Sequence, residues 1–137
     1  MDIKILNKIQ DKQLKNRPEV KVGDTVKLHL RIKEGNKERV QVFEGLVIAM
    51  KGTGINRTVT VRKISSGVGV ERVVPMHSPL LDKIEIIQRG TVSKSKMYYM
   101  RKRVGKKALR VSNIKDVYFT DTVEEVKAEE TTEEVKE

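Results

Sequence analysis

The stretch Val26-Lys27-Leu28-His29-Leu30-Arg31-Ile32-Lys33 decides the fold class of this chain. Its aliphatic residues alternate with basic or polar ones. Successive side chains of a strand point to opposite faces of a sheet, so this period of two is typical of a half-buried β-strand. The next residues, Glu34-Gly35-Asn36-Lys37, are typical of a hairpin turn, because glycine and asparagine tolerate positive φ. We therefore predict a strand with a basic outer face that turns back into a second strand.

Four more strands follow from the same kind of pattern. We expect them at residues 40–50, 58–64, 68–74 and 81–87, with turn residues between them. Gly45 is expected to mark a bulge at which the second strand bends. Five short strands at close spacing predict a mainly β protein, with residues 18–90 folded as a small barrel or sandwich.

The N-terminal residues 1–17 predict an amphipathic helix. Asp2 could cap it, and Pro18 should stop it. Its apolar residues fall near one face, which we expect to pack on the body of the protein or on a partner: Ile3, Ile5, Leu6 and Ile9.

A second helix is expected beyond Gly90. Met97, Met100 and Val104 are spaced at i, i+3 and i+7, and Gly105 should end the helix. We expect these three side chains to dock inward. The outward residues would be Lys96, Tyr99 and Arg103.

The charge of the chain is divided between a basic body and an acidic tail. Residues 1–111 hold 26 basic and 10 acidic residues, a net charge of +16, whereas residues 112–137 hold 3 basic and 9 acidic residues, a net charge of −6. The acidic end lacks any large apolar periodicity, so we expect residues 112–137 to be disordered. A strongly basic body with an acidic tail indicates a nucleic-acid partner.

Positive charge is concentrated between residues 89 and 110. Nine residues of this run are basic, none is acidic, and a pair of tyrosines stands among them. Lysine and arginine displace counterions from phosphates, and aromatic rings stack on unpaired bases. A solvated helix face is the alternative, but such faces normally mix charges of both signs. We therefore predict a nucleic-acid-binding arm at residues 91–111, with the contacts made by Arg89, Lys94, Lys96, Tyr98, Tyr99, Arg101, Lys102, Arg103, Lys106, Lys107 and Arg110.

A second candidate site surrounds the turn Ser65–Gly67. Bare glycines expose backbone amides there, and Arg62, Lys63 and Arg72 flank the turn, a combination that suits phosphate. An ordinary hairpin explains the glycines equally well. Arg57 is added to this barrel edge as a further predicted RNA contact.

Catalysis and cofactor chemistry have little support. The chain has no cysteine, and neither His29 nor His77 stands in a pattern of catalytic or metal-binding residues. We predict no enzymatic activity, no metal, no cofactor and no small-molecule substrate. No apolar run is long enough to span a membrane, and no apolar signal core is present, so we expect an intracellular protein without a membrane partner.

Three stretches resemble one known family: residues 31–48 (RIKEGNKERVQVFEGLVI), 62–72 (RKISSGVGVER) and 96–101 (KMYYMR). They are similar to bacterial large-subunit ribosomal protein L-nineteen, and the resemblance runs from about Ile5 to Val111. It implies an SH3-like β-barrel with helical extensions in the cytoplasmic ribosome. It also implies binding to large-subunit ribosomal RNA, bridges to small-subunit ribosomal RNA and contact with ribosomal protein L-fourteen. The acidic tail has no counterpart in the family. A regulatory factor that binds proteins through an SH3-like module is the alternative, and it would keep its partner without residues 89–110.

Overall fold

The protein is mainly β, as predicted. The computed structural model describes residues 2–103, 105, 110–111 and 114–119. One helix, α1 (Ile3–Gln13), precedes six strands, and short 3₁₀ turns occupy Gly54–Asn56 and Tyr98–Lys102. The strands are β1 (Thr25–Glu34), β2 (Lys37–Lys51), β3 (Thr58–Ser65), β4 (Val68–Pro75), β5 (Leu81–Gly90) and β6 (Ile114–Phe119).

The six strands form one antiparallel sheet with the order β4-β3-β2-β1-β5-β6. The predicted hairpin is confirmed, because Glu34 pairs with Lys37 across the turn. Closing this sheet into a barrel would need its two edge strands, β4 and β6, to pair, and among the described strands they do not. The sheet that the structure describes is therefore open, and the prediction of a small barrel is not confirmed.

Strand β6 was not predicted. We had assigned residues 112–137 to one disordered tail, and that assignment is wrong for Ile114–Phe119, whose backbone pairs with β5. Residues 120–137 lie outside the described residues. The segment IKDVYF contains strand-forming residues, but the acidic composition of the tail as a whole led to the prediction of disorder.

The main core lies on one face of the sheet. Side chains from β1 to β5 meet there, which explains the alternation that defined β1. Residues as distant in sequence as Leu28, Val61, Val74 and Ile84 belong to this one cluster. A sheet whose strands share a core on one face must curl around it, since flat strands would leave the outer members apart.

Gly45 makes a close backbone approach instead of a bulge. It pairs regularly with Val26, and a Cβ atom at this position would lie 2.5 Å from the carbonyl oxygen of Arg62. Glycine in a strand interior can serve either purpose. The irregularity of β2 lies three residues further on, between Val47 and Ala49.

Strand β2 is apolar on both faces, and the second face has its own cover. We call residues 91–103 the covering segment. Its Met97 and Met100 are fully buried against Leu46 and Ile48 of β2, and Val111 joins the same cluster. The amide of Met97 donates to the carbonyl oxygen of Ile48 at 2.7 Å, so the irregular part of β2 provides the anchor.

The inward placement of Met97 and Met100 is confirmed, but the predicted helix is wrong. The turn Tyr98–Lys102 is a 3₁₀ helix, in which Met100 donates to the carbonyl of Met97 and Arg103 to that of Met100. A single tight turn is enough to bring both methionines onto β2. Val104, the third predicted core residue, lies outside the described residues.

Helix α1 is confirmed, although none of its residues is buried. Ile3 is 74% exposed and Ile9 is 49% exposed. The helix is connected to the sheet by the residues after it, where the amide of Lys15 donates to Nδ1 of His77 at 3.0 Å and Nε of Arg17 donates to the carbonyl of Met76 at 3.2 Å. In the part of the chain that the structure describes, no helix is long and apolar enough to cross a membrane.

Candidate nucleic-acid interface

The covering segment presents positive charge to solvent. Its two methionines are buried, whereas Arg101 and Lys102 of the same short turn are exposed. The exposed cations are Lys94, Lys96, Arg101, Lys102 and Arg103, with Arg110 nearby in sequence. No acidic residue occurs between residues 89 and 110. Lys106 and Lys107, which we also predicted as RNA contacts, lie outside the described residues.

Both tyrosines of the covering segment are half-buried, and cationic side chains lie over both rings. Tyr98 and Tyr99 pack against the cluster beneath them. The guanidinium of Arg101 lies 4.6 Å from the centre of the Tyr98 ring. Tyr99 has two such neighbours, with Arg103 at 4.9 Å and Lys94 at 5.2 Å. These contacts hold long, flexible side chains near the rings and so concentrate charge at one place.

Glu71 fixes the covering segment to the edge of the sheet. Its carboxylate accepts two bonds from Arg101, of 2.7 and 2.8 Å, and a third of 3.0 Å from Arg62. The hydrogen bond from Arg101 is the main cause of the lowered pKa of Glu71, and the pKa of Arg101 is raised by the same bond. A bidentate pair of this kind fixes direction as well as distance.

The three cations around the β3–β4 turn do not form one site. Arg62 is only 10% exposed at its side chain and is committed to Glu71, and its guanidinium lies against Gly69 so closely that no Cβ would fit there. Lys63 and Arg72 lie on the opposite face, over the ring of Phe43 at 4.5 and 5.6 Å. Strand alternation separates Arg62 from its neighbour Lys63. The geometry thus favours Lys63 and Arg72 as available cations and gives Arg62 a structural contact.

Two further predicted contacts are partly engaged within the protein. A nitrogen of Arg89 donates to the carbonyl of Glu19 at 3.1 Å, and another lies 3.8 Å from the buried carboxylate of Asp24. Burial raises the pKa of Asp24, against the opposing effect of its hydrogen bond from Lys21 and of Arg89. Arg57 is half-buried, with one nitrogen 4.0 Å from the sulfur of Met50.

Sequence reasoning missed Glu71 and Phe43. Glu71 was not among the predicted site residues, yet it connects β3, β4 and the covering segment. A signal existed: with the turn at residues 65–68, Arg62 and Glu71 must face each other across the hairpin, as they do. Phe43 gave no comparable signal, because its contacts with Lys63 and Arg72 depend on how the sheet curls.

The histidines occupy unrelated places. Nε2 of His29 lies 3.4 Å from the carboxylate of Glu85, and Nδ1 of His77 accepts from Lys15. Burial lowers the pKa of His77, and the cations Arg17, Arg57 and Lys15 lower it further. Within the described ranges, no group of three or more histidine or acidic side chains could hold a metal ion.

Comparisons with known proteins agree on one family. The family described as Ribosomal protein L19 matches residues 4–114. Among curated relatives, Large ribosomal subunit protein bL19 of Persephonella marina is 53% identical over 114 residues, covering 83% of this chain and 86% of the relative.

Two other relatives carry the same name. That of Picosynechococcus sp. is 57% identical over 103 residues, covering 74% of this chain and 86% of the relative. That of Chloroherpeton thalassium is 52% identical over 94 residues, covering 69% and 78%. The family match covers residues 4–114, and each relative is more than 50% identical over more than two thirds of this chain. The chain therefore belongs to the ribosomal protein L19 family.

Proposed function

We propose that this chain is a structural constituent of the large ribosomal subunit that holds ribosomal RNA in place through the exposed cations of its covering segment. Membership of a family of ribosomal proteins agrees with the prediction that the chain is not an enzyme. It also agrees with a location in the cytoplasmic ribosome.

The observation that carries the proposal is the cationic surface of the covering segment. Five exposed lysines and arginines lie within ten residues, from Lys94 to Arg103, on a segment without acidic residues. Each cation that neutralises a phosphate releases bound counterions, which favours association with RNA. Contacts of this kind position RNA without reading its sequence.

The covering segment is held on the sheet by contacts within the protein itself. Met97 and Met100 are buried beneath it, and the bidentate bonds from Arg101 to Glu71 fix its outer side. A binding surface that is already ordered loses less conformational entropy on association than a flexible arm would. This order distinguishes the segment from a disordered basic tail of equal charge.

A second cationic site lies on the other face of the sheet. Lys63 and Arg72 stand over Phe43 there, whereas Arg101 lies on the Glu71 side. Two cationic sites on opposite faces suit a protein that clamps two RNA segments. We therefore extend the proposal to bridges with small-subunit ribosomal RNA. From the family resemblance, we also propose contact with ribosomal protein L-fourteen and an SH3-like arrangement of the curled sheet.

Sedimentation of a native lysate tests the central part of the proposal. A gradient at low magnesium separates the subunits, and a moderate-salt wash follows. We expect about one copy of the protein per large subunit before and after the wash, because many phosphate contacts act together. Protein at the top of the gradient, or lost at the first wash, would contradict a structural role and favour a transient factor.

Bridging is tested separately, by reassociation of the two subunits as magnesium is raised. Large subunits reconstituted with a Lys63→Glu, Arg72→Glu variant should require more magnesium to pair with small subunits if that face forms a bridge. An unchanged requirement, with normal incorporation of the variant, would contradict bridging through this face.

A further inference from the structure

A cleft of about 380 Å³ opens beside the Tyr99 ring, where the covering segment leaves the end of β5. It is small for a ligand pocket, at the lower end of the usual range of roughly 300 to 1,000 Å³. A double helix of nucleic acid is far too wide to enter it, whereas one base fits.

The floor of the cleft is apolar and fixed. Val92 and Val111 line it, and Val111 is only 8% exposed. Val111 packs directly on the backbone at Gly90, where a Cβ atom would lie 2.7 Å from its Cγ1 atom and 2.5 Å from the carbonyl oxygen of Gly23. Glycine at position 90 therefore lets the valine seat against the end of β5.

The walls are flat and positively charged. The Tyr99 ring forms one wall, with the guanidinium of Arg103 at 4.9 Å from its centre. Arg103 is turned toward the cleft lining by a 3.5 Å contact from Nη1 to the carbonyl of Arg110. Lys94 adds another cation at 5.2 Å from the same ring, and none of the described residues that line the cleft is acidic.

We propose that this cleft binds one unpaired nucleotide of RNA. The base lies over Val92 and Val111 with the Tyr99 ring and the Arg103 guanidinium as flat neighbours, and its phosphates meet Lys94 and Arg110. Unpaired bases are recognised in this way, by stacking on aromatic rings or guanidinium planes with cations along the backbone. This inference rests on the proposed RNA-binding function and adds the kind of RNA element that the surface selects.

The test uses two RNA hairpins that differ at one position. One carries a single bulged 2-aminopurine in its stem, and the other has the same stem fully paired. Binding of the full chain to each is measured at fixed salt, together with the fluorescence of the 2-aminopurine. We expect the bulged hairpin to bind about tenfold more tightly, from the stacking of one base. Its fluorescence should fall on binding.

Two variants and one control assign the effect to the cleft. Tyr99→Leu removes the flat wall, and Ser93→Leu fills the mouth from an exposed position without touching the core. Each should reduce the preference for the bulged hairpin to about twofold or less, and Ser93→Leu should leave binding to the paired hairpin nearly unchanged. Ser95→Leu is the matched control for Ser93→Leu, since Ser95 is exposed on the same segment and does not line the cleft.

Equal binding of both hairpins by the unmodified chain would overturn the inference and leave the proposed function standing. A preference that survives in Ser93→Leu would also overturn it, because the bulge would then be recognised elsewhere. Failure to bind either hairpin would contradict the proposed function and the inference together.

Discussion

Helix α1 and the covering segment both mix apolar with basic residues, but they pack differently on the sheet. Both are short, and both were predicted as helices with an apolar face. That face was expected to dock inward in the covering segment, and to pack on the body or on a partner in α1. Helix α1 forms without burying a single residue, while the covering segment forms only a 3₁₀ turn and buries both of its methionines. An apolar face in a sequence thus shows that a segment can pack, and not that the protein supplies a surface for it.

The partner surface explains the difference. Strand β2 is apolar on both faces from Leu46 to Ala49, so it needs a cover on the face away from the main core. The covering segment supplies that cover, and its charged side chains then point outward. Helix α1 buries none of its residues, and polar contacts of the residues after it connect it to Met76 and His77, just after β4.

Met100→Ala should give the largest effect on stability. Removal of a fully buried side chain leaves a cavity against β2, and we expect a loss of about 2–4 kcal/mol in the free energy of unfolding. Urea denaturation measures the change. A loss below about 1 kcal/mol would mean that the covering segment is not packed as described.

Glu71→Gln should cost less, and its effect should depend on pH. The substitution leaves the nearly buried Arg62 without its carboxylate, for which we expect about 1–3 kcal/mol at neutral pH. The pKa of the Glu71 carboxyl is lower in the folded protein than in the unfolded chain, where it is about 4.3. The ionised carboxylate therefore stabilises the fold fully at pH values above the unfolded pKa. This stabilisation is lost as the pH falls through the folded pKa.

The pH dependence of that difference provides the check. In urea denaturation, the difference in the free energy of unfolding between the unmodified chain and Glu71→Gln should be constant from about pH 7 to pH 5. It should become smaller at more acidic pH, where the protonated carboxyl resembles the amide. A gap that does not change with pH would show that the charge of Glu71 contributes nothing.

His77→Ala should affect only the connection of α1. It removes the acceptor for the amide of Lys15, a hydrogen bond with a net value of about 0.5–1.5 kcal/mol. We expect faster hydrogen exchange at Lys15 by several-fold, with the amides of β1 unchanged. Unchanged exchange at Lys15 would mean that this bond does not hold the segment.

Ile9→Ser should have the smallest effect. Ile9 is half-exposed on a helix without buried residues, so we expect a change within about 0.5 kcal/mol in urea denaturation of the isolated protein. A loss comparable to that of Met100→Ala would contradict the contrast between the two segments.

The sequence predicted the parts of the fold that depend on local patterns. Alternation in β1 and turn residues at Gly35 and Gly67 placed five strands and two hairpins, since both signals are read within a few residues. The open order of the sheet was not predictable in the same way. It depends on β6, whose pairing with β5 spans about 30 residues and whose composition was masked by the acidic residues after it.

The sequence predicted which cations the candidate interface contains better than it predicted how those cations are arranged. The cation-rich run from Lys94 to Arg103 is exposed, as its charge required. The ion pair between Arg62 and Glu71 depends on the pairing register of β3 and β4. The contact of Lys63 with Phe43, on the other face, depends on the curl of the sheet. Neither contact is specified by the local sequence pattern alone.

One measurement tests the central claim, that RNA is held by the covering segment and not by basic charge in general. The affinity of the full chain for large-subunit ribosomal RNA is measured over a range of salt concentrations. The variant Lys94→Glu, Lys96→Glu, Lys102→Glu is compared with Lys4→Glu, Lys8→Glu, Lys12→Glu, which makes the same charge change on α1.

We expect a log–log salt slope of roughly −6 to −7 for the unmodified chain if about eight phosphates are neutralised. The covering-segment variant should lose about three contacts, with a slope smaller in magnitude by roughly 2 to 3, while the α1 variant keeps nearly the full slope. Equal losses in the two variants, or a slope near −1 for the unmodified chain, would contradict the account.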